Sequence, residues 1–210
     1  MDLETASEEH KIVVSKVPLW KSCRLTLVLI LFPCAILIII LRYNLSMAIV
    51  CMTESNNNSR PEFSWSKTTQ GYMLSAFFYG YICTLVLGGV ISDKCGGKSS
   101  LLYGMLMFSL TTLMIPSLAR FDESLVIAIR ILQGLISGVA MPSLYNIFSV
   151  WSDPQERATL MSLVFSGFTL AIIINWPLSA GLCATGIDGG WPMVFYVPGN
   201  SLTIIKAFQN

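Results

Sequence analysis

Long apolar runs, separated by short stretches that hold most of the charge, set the organisation of this chain. A helix needs about twenty apolar residues to cross a hydrocarbon core. Windows of that length fall at about 25–52, 70–91, 99–118, 124–149 and 158–183, and each predicts a membrane-spanning helix. A sixth run opens near Trp191, but Pro198, Gly199, Asn200 and Lys206 interrupt it, so an incomplete helix is expected over 191–210. The predicted fold is therefore an all-α membrane protein. It has a tail at 1–24 and a transmembrane half-bundle at 25–210, with loops at 53–69 and 92–98 on opposite sides.

Basic residues orient the spans, because Lys and Arg are retained on the cytoplasmic side. The tail and the loops on its side carry Lys11, Lys16, Lys21, Arg24, Lys94, Lys98 and Arg157, against Arg60, Lys67 and Arg120 on the other. The amino terminus is expected to be cytoplasmic. Loop 53–69 then lies outside or in a lumen, where the sequon Asn57-Asn58-Ser59 marks Asn57 as a glycan acceptor on a polar stretch. Asn44-Leu45-Ser46 fits the same pattern inside a span and is discounted. A polar stretch of about twenty residues precedes the first apolar run, which is too long for a signal-peptide core. That run is expected to stay in the membrane.

Composition agrees with this class: 54% of residues are hydrophobic and 12% charged, and the mean hydropathy is +0.66. A formal net charge of +1 offers no basic surface to nucleic acid. His10, in the tail, reads as a solvated side chain. The cysteines at 23, 34, 51, 83, 95 and 183 are scattered, mostly within apolar runs and without a CxxC pair, so burial in helices is expected rather than disulfides or metal. No nucleophile with a base, metal-ligand cluster or phosphate-cradling loop stands out, which argues against an enzyme and against a cofactor.

Two charges lie inside spans: Arg42 in the first and Arg130 in the fourth. Each costs a few kcal/mol to place in lipid and is expected to face a partner or a water-filled cavity. The first span runs outward and the fourth inward, so Arg42, about ten residues before one outer end, and Arg130, about six after another, sit at similar depth. They are expected to share a cavity. No acidic residue lies within the five spans, so an anionic ligand is the natural counter-ion. The alternatives are bonding to backbone carbonyls, snorkelling to the interface, or acids in another part of the protein. Asn44 and Ser46 follow Arg42, while Gln133 and Ser137 continue the Arg130 face, a polar stripe suited to a solute pathway. Tyr79 and, second to it, Tyr81 are further lining candidates. Gly134 and Gly138 form a GxxxG that permits close helix contact, and Asn175-Trp176-Pro177 predicts a kink or break in the fifth span.

Between the second and third spans stands "GGVISDKCGGKSS". Gly89, Ser92, Asp93, Lys94, Gly96 and Lys98 resemble the G-x-L-[SA]-D-[RK]-x-G-x-[RK] signature of the major facilitator superfamily, at the same place after the second helix. The resemblance implies a gating loop whose charges and helix-end contacts stabilise the outward-facing state. Asp93, Lys94 and Lys98 would act there, with Glu156 and Arg157 of "WSDPQER" as local partners. "RYNLSMAIV", "TTQGYMLSAFFYGYI", "RILQGLISG", "PQER" and "GWPMVFYVPG" narrow the resemblance to the anion/cation symporter family, which holds sialin, vesicular glutamate transporters and sodium/phosphate cotransporters.

The resemblance implies a substrate role for Arg42 and Arg130. Ser137 stands where proton-coupled members carry an acid, and Leu74 where the glutamate transporters carry a histidine. Both departures favour the phosphate and organic-anion branch. Members have about twelve helices, so the chain is expected to be a truncated amino-terminal half. The expected function is transport of phosphate or an organic anion by alternating access, with sodium or a proton as coupling ion. Membrane lipid and the missing carboxy-terminal half are the expected partners, in the plasma membrane or an endolysosomal or vesicular membrane. The rival expectation is a non-transporting fragment that associates with a full-length homologue.

Overall fold

The computed structural model describes residues 23–53, 63–185 and 190–200, and among them no strand occurs. The helices are α1 (Cys23–Thr53), α2 (Lys67–Cys95), α3 (Gly97–Phe121), α4 (Glu123–Ser137), α5 (Ala140–Trp151), α6 (Pro154–Ala184) and α7 (Met193–Gly199). α1, α2, α3, the α4–α5 pair and α6 are each long and apolar enough to cross a membrane. The chain is a multi-pass membrane protein with the all-α architecture of an amino-terminal half-bundle.

Polar residues just outside the apolar windows set the helix ends. The Ser66 hydroxyl accepts the N–H of Thr69 at 3.1 Å to open α2. Asp122 accepts from Ser124 at 3.2 Å to open α4, and Asp153 accepts from Gln155 at 3.3 Å before Pro154 begins α6. Gly96 alone joins α2 to α3 and takes φ +83°, a backbone state that a side chain would strain.

The fourth span differs from the single helix expected, because it is divided at Gly138–Val139 into α4 and α5. Pro142 contributes to the division. It has no N–H for the carbonyl of Gly138, four residues earlier, and its ring crowds that group. α6, by contrast, stays one helix through Pro177, so of the kink or break expected there the break is absent. Nearby groups in a packed membrane helix can re-satisfy the carbonyl that a proline frees.

The cysteine expectation needs correction. Cys51 and Cys183 form a disulfide, with Cα atoms 6.3 Å apart. α1 and α6 run side by side in the same direction, Phe32 against Gly167 and Ile40 with Ala171, so their last turns end together. That register brings together two residues 132 positions apart in sequence. Cys34 is buried as expected, whereas Cys83 and Cys95 are exposed.

The two largest of four apolar clusters fill the ends of the bundle. One joins Val28, Leu31, Leu101, Met105, Phe148 and Val164 near the tail side. The other joins Leu45, Met52, Met73, Ile115, Trp191 and Phe195 at the opposite end. Trp191 is 1% exposed and packs edge-on to Phe63, which stacks on Trp65 at 4.6 Å, so the start of the sixth span and the loop before α2 cap that end. Asn57 lies outside the described residues. Between the two cores runs a belt of buried polar side chains: Asn44, Ser109, Thr112, Arg130, Gln133 and Asn175.

Candidate functional site

Contact between α2 and α4 places one side of the belt. Both helices run the same way, and Gly80 meets Ile131 and Leu135 while Gly134 meets Phe77 and Tyr81. A Cβ at Gly134 would overlap the Phe77 carbonyl oxygen, so only glycine lets the backbones approach this closely. Arg130, one turn before Gly134, is thereby held beside Met73 and Phe77. From the other side α1 brings Arg42.

A cavity of about 220 Å³ lies between these helices. Arg42, Tyr43 and Ser46 of α1, Met73, Leu74, Phe77 and Phe78 of α2, and Arg130 of α4 line it, and none of these is acidic. The two arginines therefore share one cavity.

The half-buried Arg42 guanidinium lies 4.9 Å from the Phe77 ring centroid, 5.0 Å from Tyr81, 5.3 Å from Phe78 and 5.7 Å from Tyr43. Cation–π contacts are worth about 0.5–1 kcal/mol each where water still reaches the cation, so four of them offset much of the roughly 2.5–3.5 kcal/mol that an arginine costs at mid-membrane on insertion scales. Arg130 is 2% exposed. Its Nε and Nη2, like the Nε of Arg42, are buried without a hydrogen-bond partner. Like charges in a low-dielectric cavity repel, and orphaned charged donors are expensive. A negative group between them relieves both costs.

The other candidates are placed less centrally. Gln133 is fully buried and donates from Nε2 to the Thr112 hydroxyl at 3.0 Å, leaving its Oε1 unpartnered. Asn44 is also fully buried with neither amide atom partnered. One turn beyond Ile40, it continues the face of α1 that packs on α6, away from the cavity lining. Tyr79 is 66% exposed, whereas Tyr81, at i+4 from Phe77 and stacked on it, reaches Arg42. The aromatic collar of Phe77, Phe78 and Tyr43 had a legible signal only in the i, i+4 spacing of Phe77 and Tyr81.

The loop expected over 92–98 is the last turn of α2 and the first turn of α3, joined by Gly96 alone; there Asp93 accepts a hydrogen bond from the Asn146 amide at 2.7 Å, a contact with no trace in the motif itself. Lys94 and Lys98 are exposed, and Glu156 and Arg157 are half-buried. Arg157 donates to the Ser149 carbonyl at 3.0 Å. Among the described residues no group of His, Cys, Asp and Glu is arranged to hold a metal.

Residues 31–205 match the Major Facilitator Superfamily. The chain belongs to that superfamily. Human sialin is 33% identical over 202 residues, covering 85% of this chain and 40% of sialin. A putative inorganic phosphate cotransporter of Drosophila melanogaster is 40% identical over 139 residues, 66% of this chain and 26% of that protein. The chloroplastic ascorbate transporter of Arabidopsis thaliana is 36% identical over 181 residues, 85% of this chain and 32% of the relative. These relatives bear out the resemblance to the anion/cation symporter family. The chain spans at most about two fifths of the length of these relatives.

Proposed function

We propose that this chain is the amino-terminal half of an anion transporter that works by alternating access, with Arg42 and Arg130 receiving the anion. The observation that carries this reading is the shared cavity, in which two guanidinium groups present unpartnered N–H donors and no lining residue is acidic. An organic anion is favoured over inorganic phosphate. Leu74, Phe77 and Phe78 offer an apolar wall for a carbon body, whereas the oxygens of bare phosphate call for donors on every side. Gln133 and Asn44 support the belt from outside the cavity, and Tyr79 lies on a face of α2 that a second half would cover. Asp93, Lys94, Lys98, Glu156 and Arg157, at the helix ends around Gly96 and Pro154, form the gating region at the inner end.

The orientation follows from two independent supports. Basic residues gather on the tail side. The Cys51–Cys183 disulfide closes the opposite end, where an oxidising compartment would favour it. We therefore place the amino terminus in the cytoplasm and the disulfide end outside or in a lumen.

Transport is tested by co-expressing the chain with the carboxy-terminal half of a relative and following labelled phosphate, an aromatic carboxylate and an acidic sugar. Uptake of the aromatic carboxylate should dominate and should fall to background in Arg42→Gln and Arg130→Gln. Uptake indifferent to both substitutions would remove these arginines from the mechanism.

A second reading is a non-transporting fragment that associates with a full-length transporter. Exposed Ile82 and Val86 on α2, with Ile173 and Trp176 on α6, are apolar faces that a full-length partner or lipid would cover. Co-purification of the chain with a full-length homologue, without uptake by any reconstituted pair, would select this reading.

A further inference from the structure

The break in the fourth span has the parts of a joint. Gly138 and Val139 separate α4 from α5, and the Val139 N–H reaches the Ile136 carbonyl at 3.4 Å, a three-residue closure. In an unbroken helix that N–H would serve Leu135, four residues back. The Thr84 hydroxyl of α2 takes its place, donating to the Leu135 carbonyl at 2.8 Å. The same hydroxyl lies 3.2 Å from the carbonyl of Gly80 in its own helix. The Tyr81 carbonyl lies at 3.5 Å, so one proton faces acceptors on both helices.

The surroundings complete the device. A Cβ on Gly88 would come 2.7 Å from the Gly138 oxygen and 2.9 Å from the Val139 Cα, so the joint rests on a bare patch of α2. Beyond it, Asn146 fastens α5 to the end of α2, donating to Asp93 Oδ1 at 2.7 Å and lying 3.4 Å from the Ser92 carbonyl. An open groove of about 480 Å³ runs along the contact between Leu85 and Ser149. Arg130 lies about two turns from the joint, roughly 12 Å along the helix, and is held by the Gly80–Gly134 contact on the other side of it.

We infer that α5 is a hinged arm: it turns at Gly138–Val139, the Thr84 hydroxyl switches between Leu135 and Gly80 as it turns, and Asn146–Asp93 is its latch. The arm moves while Arg130 stays in place. Its purpose, opening the inner end of the cavity, rests on the transport reading, but its existence does not.

Hydrogen exchange of the 210-residue chain in lipid nanodiscs, with no anion present, tests the joint. The segment 137–143 should exchange at least about tenfold faster than 124–134, and Pro142→Ala should narrow that difference by restoring a donor to the Gly138 carbonyl. Asn146→Leu should speed exchange across 143–150 and leave α4 unchanged. Thr84→Val should speed 137–143, and Thr84→Ser should restore the native rate. Uniform slow exchange across 124–150 in the native chain, or a fast segment indifferent to Pro142→Ala, would overturn the inference. Protection within α4 reports whether each variant has folded, and the native comparison stands without any variant. A chain that shows the joint yet binds no anion would keep the hinge and discard the transport reading.

Discussion

Gly134→Ala probes the contact that carries Arg130 to the cavity. The added Cβ would overlap the Phe77 oxygen and sit 2.8 Å from the Tyr81 nitrogen and 3.0 Å from the Phe77 carbonyl carbon. All three are backbone atoms, so no side-chain rotation gives relief. α2 and α4 must separate by about an ångström to restore ordinary contact in a close-packed interior. Overpacking of this kind costs about 1–3 kcal/mol. Separation also stretches the 2.8 Å bond from Thr84 to Leu135, and interhelical bonds in membranes are worth about 0.6–1.7 kcal/mol. Alanine returns up to about 1 kcal/mol of helix propensity. The net loss is about 1–4 kcal/mol. Gly71→Ala is the control: it gains the same propensity on the same bundle, and its Cβ would have nothing within 4 Å. Unfolding of both variants in nanodiscs, followed by tryptophan fluorescence against added detergent, gives the comparison. Gly134→Ala as stable as Gly71→Ala would refute the packing argument and, with it, the account of how Arg130 is placed.

Three further outcomes are expected. Cys51→Ser should lower stability by about 2–5 kcal/mol, and thiol labelling of the denatured chain should find two more reactive cysteines after reduction than before. Trp191→Ala should cost about 3–5 kcal/mol, read from the same detergent titration, because it empties the cap built with Phe63 and Phe195. In eukaryotic membranes a glycosidase should increase the gel mobility of the native chain and leave Asn57→Gln unchanged; a native chain that never shifts would place that loop on the cytoplasmic side or leave the sequon unused.

The spans were legible because helices that meet lipid must be apolar along their length, whatever they pack against. Their ends run a few residues past the apolar windows, since Ser66, Asp122 and Asp153 supply caps that hydropathy ignores. Arg42 and Arg130 were legible for a related reason: a charge inside an apolar run is costly enough to need an explanation. The break at Gly138 was written in Pro142, yet Pro33, Pro116 and Pro177 all sit in helices that continue. A proline therefore does not announce by itself whether its helix will part. The disulfide depends on the register between α1 and α6, a tertiary fact with no trace in cysteine spacing. That Asn44 faces away from Arg42 was legible, since two residues along a helix turn a side chain by about 200°; that it faces α6 is a tertiary fact.

Equilibrium binding of a labelled aromatic carboxylate to the chain in nanodiscs tests the shared-cavity account most directly, comparing the native chain with Arg42→Met, Arg130→Met and the double variant. Loss of a charge-assisted hydrogen bond is worth about 1.5–3 kcal/mol, so each single substitution should weaken binding by roughly 10- to 150-fold and the double variant should bind nothing. Saturable binding that persists unchanged in the double variant would contradict the account, because the anion would then be held without the two guanidinium groups that define the site.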